Sequence, residues 1–233
     1  GDWDDVWLSE GFATYFALLY QEFQDGHDAF LDALKRSKEQ AIRYALAHPD
    51  STIVHNNLAD ISQVIANNAQ IYQGGAQVLQ NIRGVVGTAT FWSGIRLYYK
   101  RFQNSNATSD DFRHAIEDAC TAAGDRCPAD GRDLSWLFSE LLNRGGVLQV
   151  KGSWRYDAAA KQVVVTLDQT QPSDVYRMPI EVAITGASGP ASTHVADLRE
   201  RHQVFTFPSS TEPASVALDP DAWVMMQATF QTQ

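Results

Sequence analysis

The chain has 233 residues, of which 44% are hydrophobic and 11% aromatic, and this is enough to bury one or two sizeable cores. Its formal net charge of −10 argues against nucleic acids and anionic membranes as partners, because both bind basic surfaces. No apolar run approaches the length of a membrane span, and no signal peptide is visible.

The first informative stretch runs from Trp3 to Phe16 and reads Trp-Asp-Asp-Val-Trp-Leu-Ser-Glu-Gly-Phe-Ala-Thr-Tyr-Phe. Ser9 is a residue type that caps helices, and apolar residues follow at helical spacing as far as Phe23. We therefore predict that Ser9 is the N-cap and that Glu10 lies in the first helical turn. There the positive end of the helix dipole would favour its ionised form.

A second amphipathic helix is predicted from His27 to Ala47, and His48-Pro49-Asp50 should end it because proline disfavours continuation. The polar residues 51–57 then predict a loop. His55 lies in this loop, and we expect it to be solvated or structural rather than a metal ligand.

The second informative stretch is Ile71-Tyr72-Gln73-Gly74-Gly75-Ala76-Gln77-Val78-Leu79, which continues to Gly87. It predicts a helix with an unusual early glycine pair and a glycine stop at its end. Tyr72 would lie at the start of this helix.

Three more helices are predicted in the first part of the chain: one from Thr88, one from Ser109 and one from Asp133. Cys120 lies at the end of the second of these, and Cys127 lies in the loop after it. The pair could form a local disulfide, or Cys120 could be a buried thiol on the apolar stripe, and both readings stay open. A zinc site made by this pair is not expected, because no second Cys or His pair lies nearby at ligand spacing.

After Gly145-Gly146 the apolar period changes from helical to alternating. Met178, Ile180, Val182 and Ile184 alternate with less apolar residues, and short runs are separated by turn residues. We therefore predict two domains: a helical domain at residues 1–146 and a β-sandwich at residues 147–233.

The stretch around Glu10 closely resembles the third-ligand segment of the zinc aminopeptidases of the gluzincin class, which include alanyl and leucyl aminopeptidases and leukotriene hydrolase. In that family a His-Glu-x-x-His motif precedes a zinc-ligating Glu in a Trp-Leu-Asn-Glu-Gly setting, which Glu10 matches. Tyr72 matches the catalytic Tyr of the family segment Tyr-x-Lys-Gly-Ala-x-Val-Leu. The resemblance covers nearly the whole chain, and the family's immunoglobulin-like sandwich corresponds to residues 147–233.

The resemblance implies a zinc peptidase that hydrolyses N-terminal residues from peptides. Zinc would be held by Glu10 and two histidines and would activate a water molecule, while the metal and Tyr72 would share the stabilisation of the oxyanion. No His-Glu-x-x-His occurs in the sequence, and at the family's spacing both histidines fall before Gly1. We therefore expect a fragment of the enzyme: the C-terminal helical half of a thermolysin-like catalytic domain, followed by the sandwich. On its own it should bind no stoichiometric catalytic zinc and should be inactive.

Two departures from the family pattern suggest alternatives. The family Lys is replaced by Gly74, and an acid that orients a zinc-bound histidine in many relatives is replaced by Ala17, although Asp4 could serve instead. These changes would suit a non-catalytic relative that binds a peptide or a partner protein. A specialised relative, such as an epoxide-hydrolysing member, would share the same zinc site.

The cysteine pair and the apolar surface bear on compartment and assembly. A Cys120–Cys127 disulfide would favour a periplasmic or secreted location, and a cytoplasmic one stays possible. Apolar surface that the missing half would otherwise cover predicts self-association of the fragment.

Overall fold

The chain divides at the Gly145-Gly146 pair into two units, Gly1–Gly146 and Val147–Gln233. The structure is a computed structural model that describes residues 3–54, 69–123, 127 and 132–233. His55 and the end of the predicted 51–57 loop lie outside the described residues. Within these ranges, no helix is both long and apolar enough to cross a membrane.

The first unit is helical, as its apolar spacing predicts. Its elements are a short 3-10 helix (Trp3–Asp5), α1 (Val6–Asp25), α2 (His27–Ala47), a π-helix (Ala69–Gly74), α3 (Gly75–Val86), α4 (Thr88–Phe102), α5 (Ser109–Ala123) and α6 (Ser135–Leu142). The predicted bounds of the second helix are confirmed. Gly26 separates α1 from α2, and Gly87 separates α3 from α4. Both have positive φ, a conformation that residues with a Cβ rarely adopt.

The prediction that Ser9 caps the first helix is wrong. The helix begins at Val6, after the 3-10 turn, and Asp5 occupies the cap position without a side-chain capping bond. The Asp5 carboxylate instead accepts hydrogen bonds from the backbone N–H and the hydroxyl of Ser109, so it fixes the start of α5. Glu10 is consequently the fifth residue of α1, beyond the first turn, and the helix dipole stabilises its charge less than we expected.

Aromatic side chains form the centre of the helical unit. The largest fully buried ones are Trp7, Tyr15, Phe30, Phe91 and Phe112. The indole of Trp7 donates a hydrogen bond of 2.8 Å to the Ser109 hydroxyl, and its ring meets that of Phe112 edge to face at 6.3 Å. Trp7 and Tyr15 lie two turns apart on the buried side of α1, so this side anchors the helix that carries Glu10.

Tyr15 makes the stability of the helical unit depend on pH. Its hydroxyl donates to Gln80 Oε1 at 2.6 Å and accepts from Arg83 at 3.2 Å, and burial raises the pKa of Tyr15 to about 12 from an ordinary value of 10.0. Because the folded state favours the neutral phenol, the stabilisation that Tyr15 gives the folded state is complete below pH 10 and is lost as the pH rises towards 12.

We expect deprotonation of Tyr15 to lower the free energy of unfolding by about 2 kcal/mol between pH 10 and pH 12. Urea titrations at a series of alkaline pH values would measure it. A Tyr15→Phe variant should lose most of the fall, while Tyr99→Phe, at a 68% exposed position, should keep it. An equal fall in Tyr15→Phe would show that another group is responsible.

The two cysteines form a disulfide, which decides between the readings that the sequence leaves open. Cys120 and Cys127 are joined, with their Cα atoms 5.7 Å apart. Cys120 is also 2% exposed, so the bridge attaches Cys127 to the buried side of α5. A periplasmic or secreted location stays a prediction.

The second unit consists of β-strands, and the predicted fold class is confirmed. The strands are β1 (Leu148–Asp157), β2 (Gln162–Gln169), β3 (Met178–Thr185), β4 (Ser192–Leu198), β5 (His202–Pro208), β6 (Ser215–Leu218) and β7 (Met226–Thr232). They form a four-stranded sheet in the order β5-β2-β1-β7 and a three-stranded sheet in the order β4-β3-β6. Pairing is antiparallel except between β1 and β7, which run parallel.

Both sheets bury the residues that the alternation indicates. Met178, Ile180, Val182 and Ile184 of β3 are all buried, and in β2 Val163, Val165 and Leu167 are fully buried. Each sheet therefore has an apolar side that needs cover, which is typical of a sandwich.

Candidate active site

Glu10 and Tyr72, the two site residues predicted from the sequence, lie together in the structure. The Glu10 carboxylate lies close enough to the Tyr72 phenol to act on it electrostatically, although the residues belong to different helices. Both residues are half-buried, so they are accessible to a ligand. Loss of solvent raises the pKa of Tyr72, and the Glu10 carboxylate raises it further as a nearby acceptor with a negative charge. The phenol is thus kept protonated and able to donate.

A π-helix positions Tyr72. Residues Ala69–Gly74 form this element, and Ile71 next to Tyr72 is fully buried. Gln70 is also buried, and its Oε1 accepts a hydrogen bond of 2.8 Å from the Ser51 hydroxyl. Tyr72 thus directly follows two buried anchors, in a helix type that occurs frequently at functional sites.

Two glycines allow the helices that carry Glu10 and Tyr72 to approach closely. A Cβ built on Gly11 would lie 2.8 Å from the carbonyl carbon of Gly75, and one built on Gly75 would lie 2.9 Å from the Cα of Gly11. Gly11 follows Glu10 directly, and Gly75 opens α3 just after the π-helix. The backbone contact between them therefore sets the distance between the carboxylate and the phenol.

The residues at this site fit part of a zinc site. A carboxylate oxygen is a normal zinc ligand, and the Glu10 carboxylate is half-buried on a rigid helix. Among the described residues, no group of three or more His, Cys, Asp or Glu side chains is placed to hold a metal. Asp4 lies in the 3-10 helix before α1. Its role as the acid that orients a zinc-bound histidine in place of Ala17 stays a prediction. The described part of the chain thus offers Glu10 as a single ligand.

A cavity of about 480 Å³ lies beside the site, between α1, α2 and the π-helix. It begins one turn after Glu10, at Thr14, whose hydroxyl donates to the Glu10 carbonyl oxygen at 2.8 Å. Its lining consists of Thr14, Ala17, Leu18, Gln21, Ala33, Arg36, Ser37, Gln40 and Gln73. The family resemblance leads us to expect an acid at position 17. Ala17 instead lines this cavity, together with amide and hydroxyl side chains and one arginine.

Sequence reasoning missed the amide side chains around Tyr72. Gln73 Oε1 and both amide atoms of Gln77 are buried without a hydrogen-bond partner, and Gln77 is 0% exposed. Unpartnered buried amides are costly, so these groups are candidates for contacts with a bound group or with ordered water. The signal was present, because Gln73, Gln77 and Asn81 recur every four residues beside the apolar Val78, Leu79 and Ile82.

Comparison with known protein families and sequences identifies aminopeptidases among the relatives of this chain. A model of the peptidase family M1 domain matches residues 1–140. The chain is 27% identical over 191 residues to the probable aminopeptidase 1 of Sulfurisphaera tokodaii, covering 79% of this chain and 22% of that protein. It is 30% identical over 184 residues to aminopeptidase N of Escherichia coli, covering 74% of this chain and 18% of that protein. The chain therefore spans about a fifth of the length of these curated relatives.

A solved structure shares the fold. Aminopeptidase A of Legionella pneumophila, in complex with aspartic acid, superposes with a TM-score of 0.73 over 98% of this chain and 24% of its own length. The identity is 17%, so this similarity shows the fold alone.

Proposed function

The chain belongs to peptidase family M1, whose aminopeptidases are zinc enzymes, and from this premise we propose that it forms part of the catalytic site of a zinc aminopeptidase. In a protein of the relatives' length, Glu10 would be one zinc ligand and other parts of that protein would supply the rest. Peptides with a free N-terminus would be the substrates. The chain by itself, with Glu10 as its one described candidate ligand, would be inactive.

The observation that carries the proposal is the proximity of the Tyr72 phenol to the Glu10 carboxylate. Sequence motifs select these two residues independently, and the fold brings them into contact. A phenol donor next to a metal-ligating carboxylate can reach a carbonyl oxygen of a substrate held there. It would then stabilise the negative charge that develops on that oxygen during hydrolysis.

Each residue of the site has a separate task in this proposal. Glu10 contributes a negatively charged oxygen that binds the metal, and α1 holds it in place through the buried Trp7 and Tyr15. Tyr72 stays neutral at physiological pH and donates its proton in a hydrogen bond. When bound, zinc supplies Lewis-acid chemistry that promotes the attack of water on the peptide carbonyl.

The zinc content of the enzyme tests the role of Glu10. In the full-length protein, Glu10→Gln should lower the affinity for zinc at least about 10-fold. Loss of a residue that only orients a metal ligand typically lowers metal affinity by about that factor, and loss of a ligand itself should lower it no less. Glu22→Gln is the matched control, since Glu22 lies on the same helix and bonds His27 at 2.7 Å. Metal analysis after dialysis against a chelator series would measure the effect.

Two outcomes distinguish the alternatives. Unchanged zinc affinity in Glu10→Gln would remove Glu10 from the metal site. A wild-type protein that binds zinc through Glu10 but hydrolyses no aminoacyl amide would be a non-catalytic relative, as the departures at Gly74 and Ala17 could allow.

A further inference from the structure

Ser109, the first residue of α5, joins the start of that helix to the start of α1. Its hydroxyl donates a hydrogen bond to the Asp5 carboxylate and accepts one of 2.8 Å from the Trp7 indole. Its backbone N–H donates another bond, of 2.9 Å, to the same Asp5 oxygen. We call these three bonds the Ser109 clamp. A serine hydroxyl has one proton to donate, and the clamp uses it.

The Ser109 clamp reaches the helical turn that carries Glu10. This turn runs from Trp7 to Gly11 in α1. A Cβ built on Gly75 would lie 2.9 Å from the Gly11 Cα and 3.4 Å from the Trp7 carbonyl oxygen, so both ends of the turn face the start of α3. The side chain at the first end of the turn is held by the clamp. The clamp therefore acts on the same turn whose contact with α3 sets the place of Glu10.

The contacts of this turn do different things. Gly11 and Gly75 have no side chains, so their contact limits how closely α1 and α3 approach but resists sliding and rotation little. The Trp7 ring packs on Phe112, and apolar burial of this kind is not directional. Hydrogen bonds, in contrast, weaken steeply when their geometry is distorted. The Ser109 clamp thus supplies the resistance to sliding and rotation of α1 that the other two contacts lack.

We propose that Ser109 is a positioning residue for the metal ligand Glu10 and acts through Trp7. This inference rests on the proposed function, because it takes Glu10 as a ligand. Without the Ser109 hydroxyl, the indole N–H of Trp7, a residue that is 0% exposed, would lose its acceptor. A buried donor without an acceptor is costly, so α1 should move until the indole meets water or another acceptor. That movement changes the separation of Glu10 from Tyr72.

Steady-state kinetics of the full-length protein at saturating zinc tests the proposal. Ser109→Ala should lower kcat about 10- to 100-fold, the usual effect of a small misplacement of catalytic groups. KM should change little, because the clamp does not touch the substrate. Ser109→Thr keeps a hydroxyl and should restore most of the lost activity.

Ile116→Val is the matched control for a merely structural effect. Ile116 lies on the same helix as Ser109 and is 0% exposed, so loss of one methyl group destabilises the helical unit without touching the clamp. Urea unfolding would show how much stability each variant loses. The control should keep the wild-type kcat even though it is less stable.

Crystal structures of the 233-residue chain provide a readout that needs neither zinc nor activity. In Ser109→Ala, the separation between the Glu10 carboxylate and the Tyr72 hydroxyl should change by about 1 Å, a displacement large enough to explain the kinetic effect. Ile116→Val should keep the wild-type separation. A full-length protein that proves inactive would refute the proposed function, while this structural comparison would still decide whether Ser109 positions Glu10.

Trp7→Phe tests the clamp from its other end, because it removes the indole donor. Alone it should lower kcat to a similar extent, so the test does not depend on the folding of one variant. The double variant should be no less active than Ser109→Ala, since both substitutions break the same bond. Fully additive losses, an unchanged kcat and separation in Ser109→Ala, or an equal loss of kcat in Ile116→Val would each overturn the proposal.

Discussion

Replacing Tyr72 by phenylalanine in the full-length enzyme is expected to lower kcat by about 10² to 10³, which is the usual effect of removing one oxyanion donor. The change deletes a single hydroxyl, and the ring keeps its place between the buried Gln70 and Ile71 and the residues that follow. KM should change little, because the developing negative charge exists only during the reaction. Steady-state hydrolysis of an aminoacyl amide would measure both constants.

Two controls separate catalysis from structure in this experiment. Tyr99→Phe removes a hydroxyl from an exposed tyrosine and should leave kcat unchanged. Zinc content must also be measured, because Tyr72 lies beside Glu10 and loss of its hydroxyl could weaken metal binding. A Tyr72→Phe enzyme with normal zinc content and normal kcat would exclude Tyr72 from the oxyanion role.

Gly11→Ala should lower the free energy of unfolding of the 233-residue chain by about 3 kcal/mol, the upper part of the usual range for overpacking. The new methyl group would lie 2.8 Å from the Gly75 carbonyl carbon. A side chain could rotate away, but the backbone of α3 cannot, so α1 and α3 must separate. The same separation would increase the distance between Glu10 and Tyr72.

Gly74→Ala provides the matched control for this prediction. Gly74 has helical φ and ψ of −62° and −46°, and a Cβ there would lie 3.5 Å from the nearest atom, Ile53 Cδ1. This substitution should stabilise the chain by roughly 0.5 to 1 kcal/mol, because glycine loses more backbone entropy than alanine. Urea unfolding of both variants gives the comparison. Equal stabilities would show that the close contact of α1 and α3 relaxes at no cost.

The fold class was predictable because its signals are local. Apolar spacing predicts the helix from His27 to Ala47, and the residues that limit it, Gly26 and Pro49, are neighbours in sequence. The change to alternating residues after Gly146 likewise predicts strands. These features need only a few adjacent positions, so a single sequence contains them.

Features that depend on distant residues were not predictable in this way. Ser9 has the chemistry of an N-cap, but the helix begins earlier, because the preceding residues form a 3-10 turn whose Asp5 bonds Ser109. The choice between a thiol and a disulfide at Cys120 depends on whether Cys127 lies next to it in space. The roles of Glu10 and Tyr72 came from family motifs, and only the structure shows that the two residues are in contact.

The π-helix at Ala69–Gly74 also limits which changes of chain length the site can tolerate. A π turn contains one more residue than the α-helical turn it replaces, so deleting one residue there could convert it to a regular α-helix. Each α-helical residue advances the side-chain direction by about 100°, so residues before the deletion would rotate relative to those after it. With α3 held against α1 through Gly75 and Gly11, that rotation would turn Tyr72 away from Glu10. Homologous chains that keep this site should therefore rarely gain or lose single residues between Tyr72 and Gly75, even where substitutions are frequent.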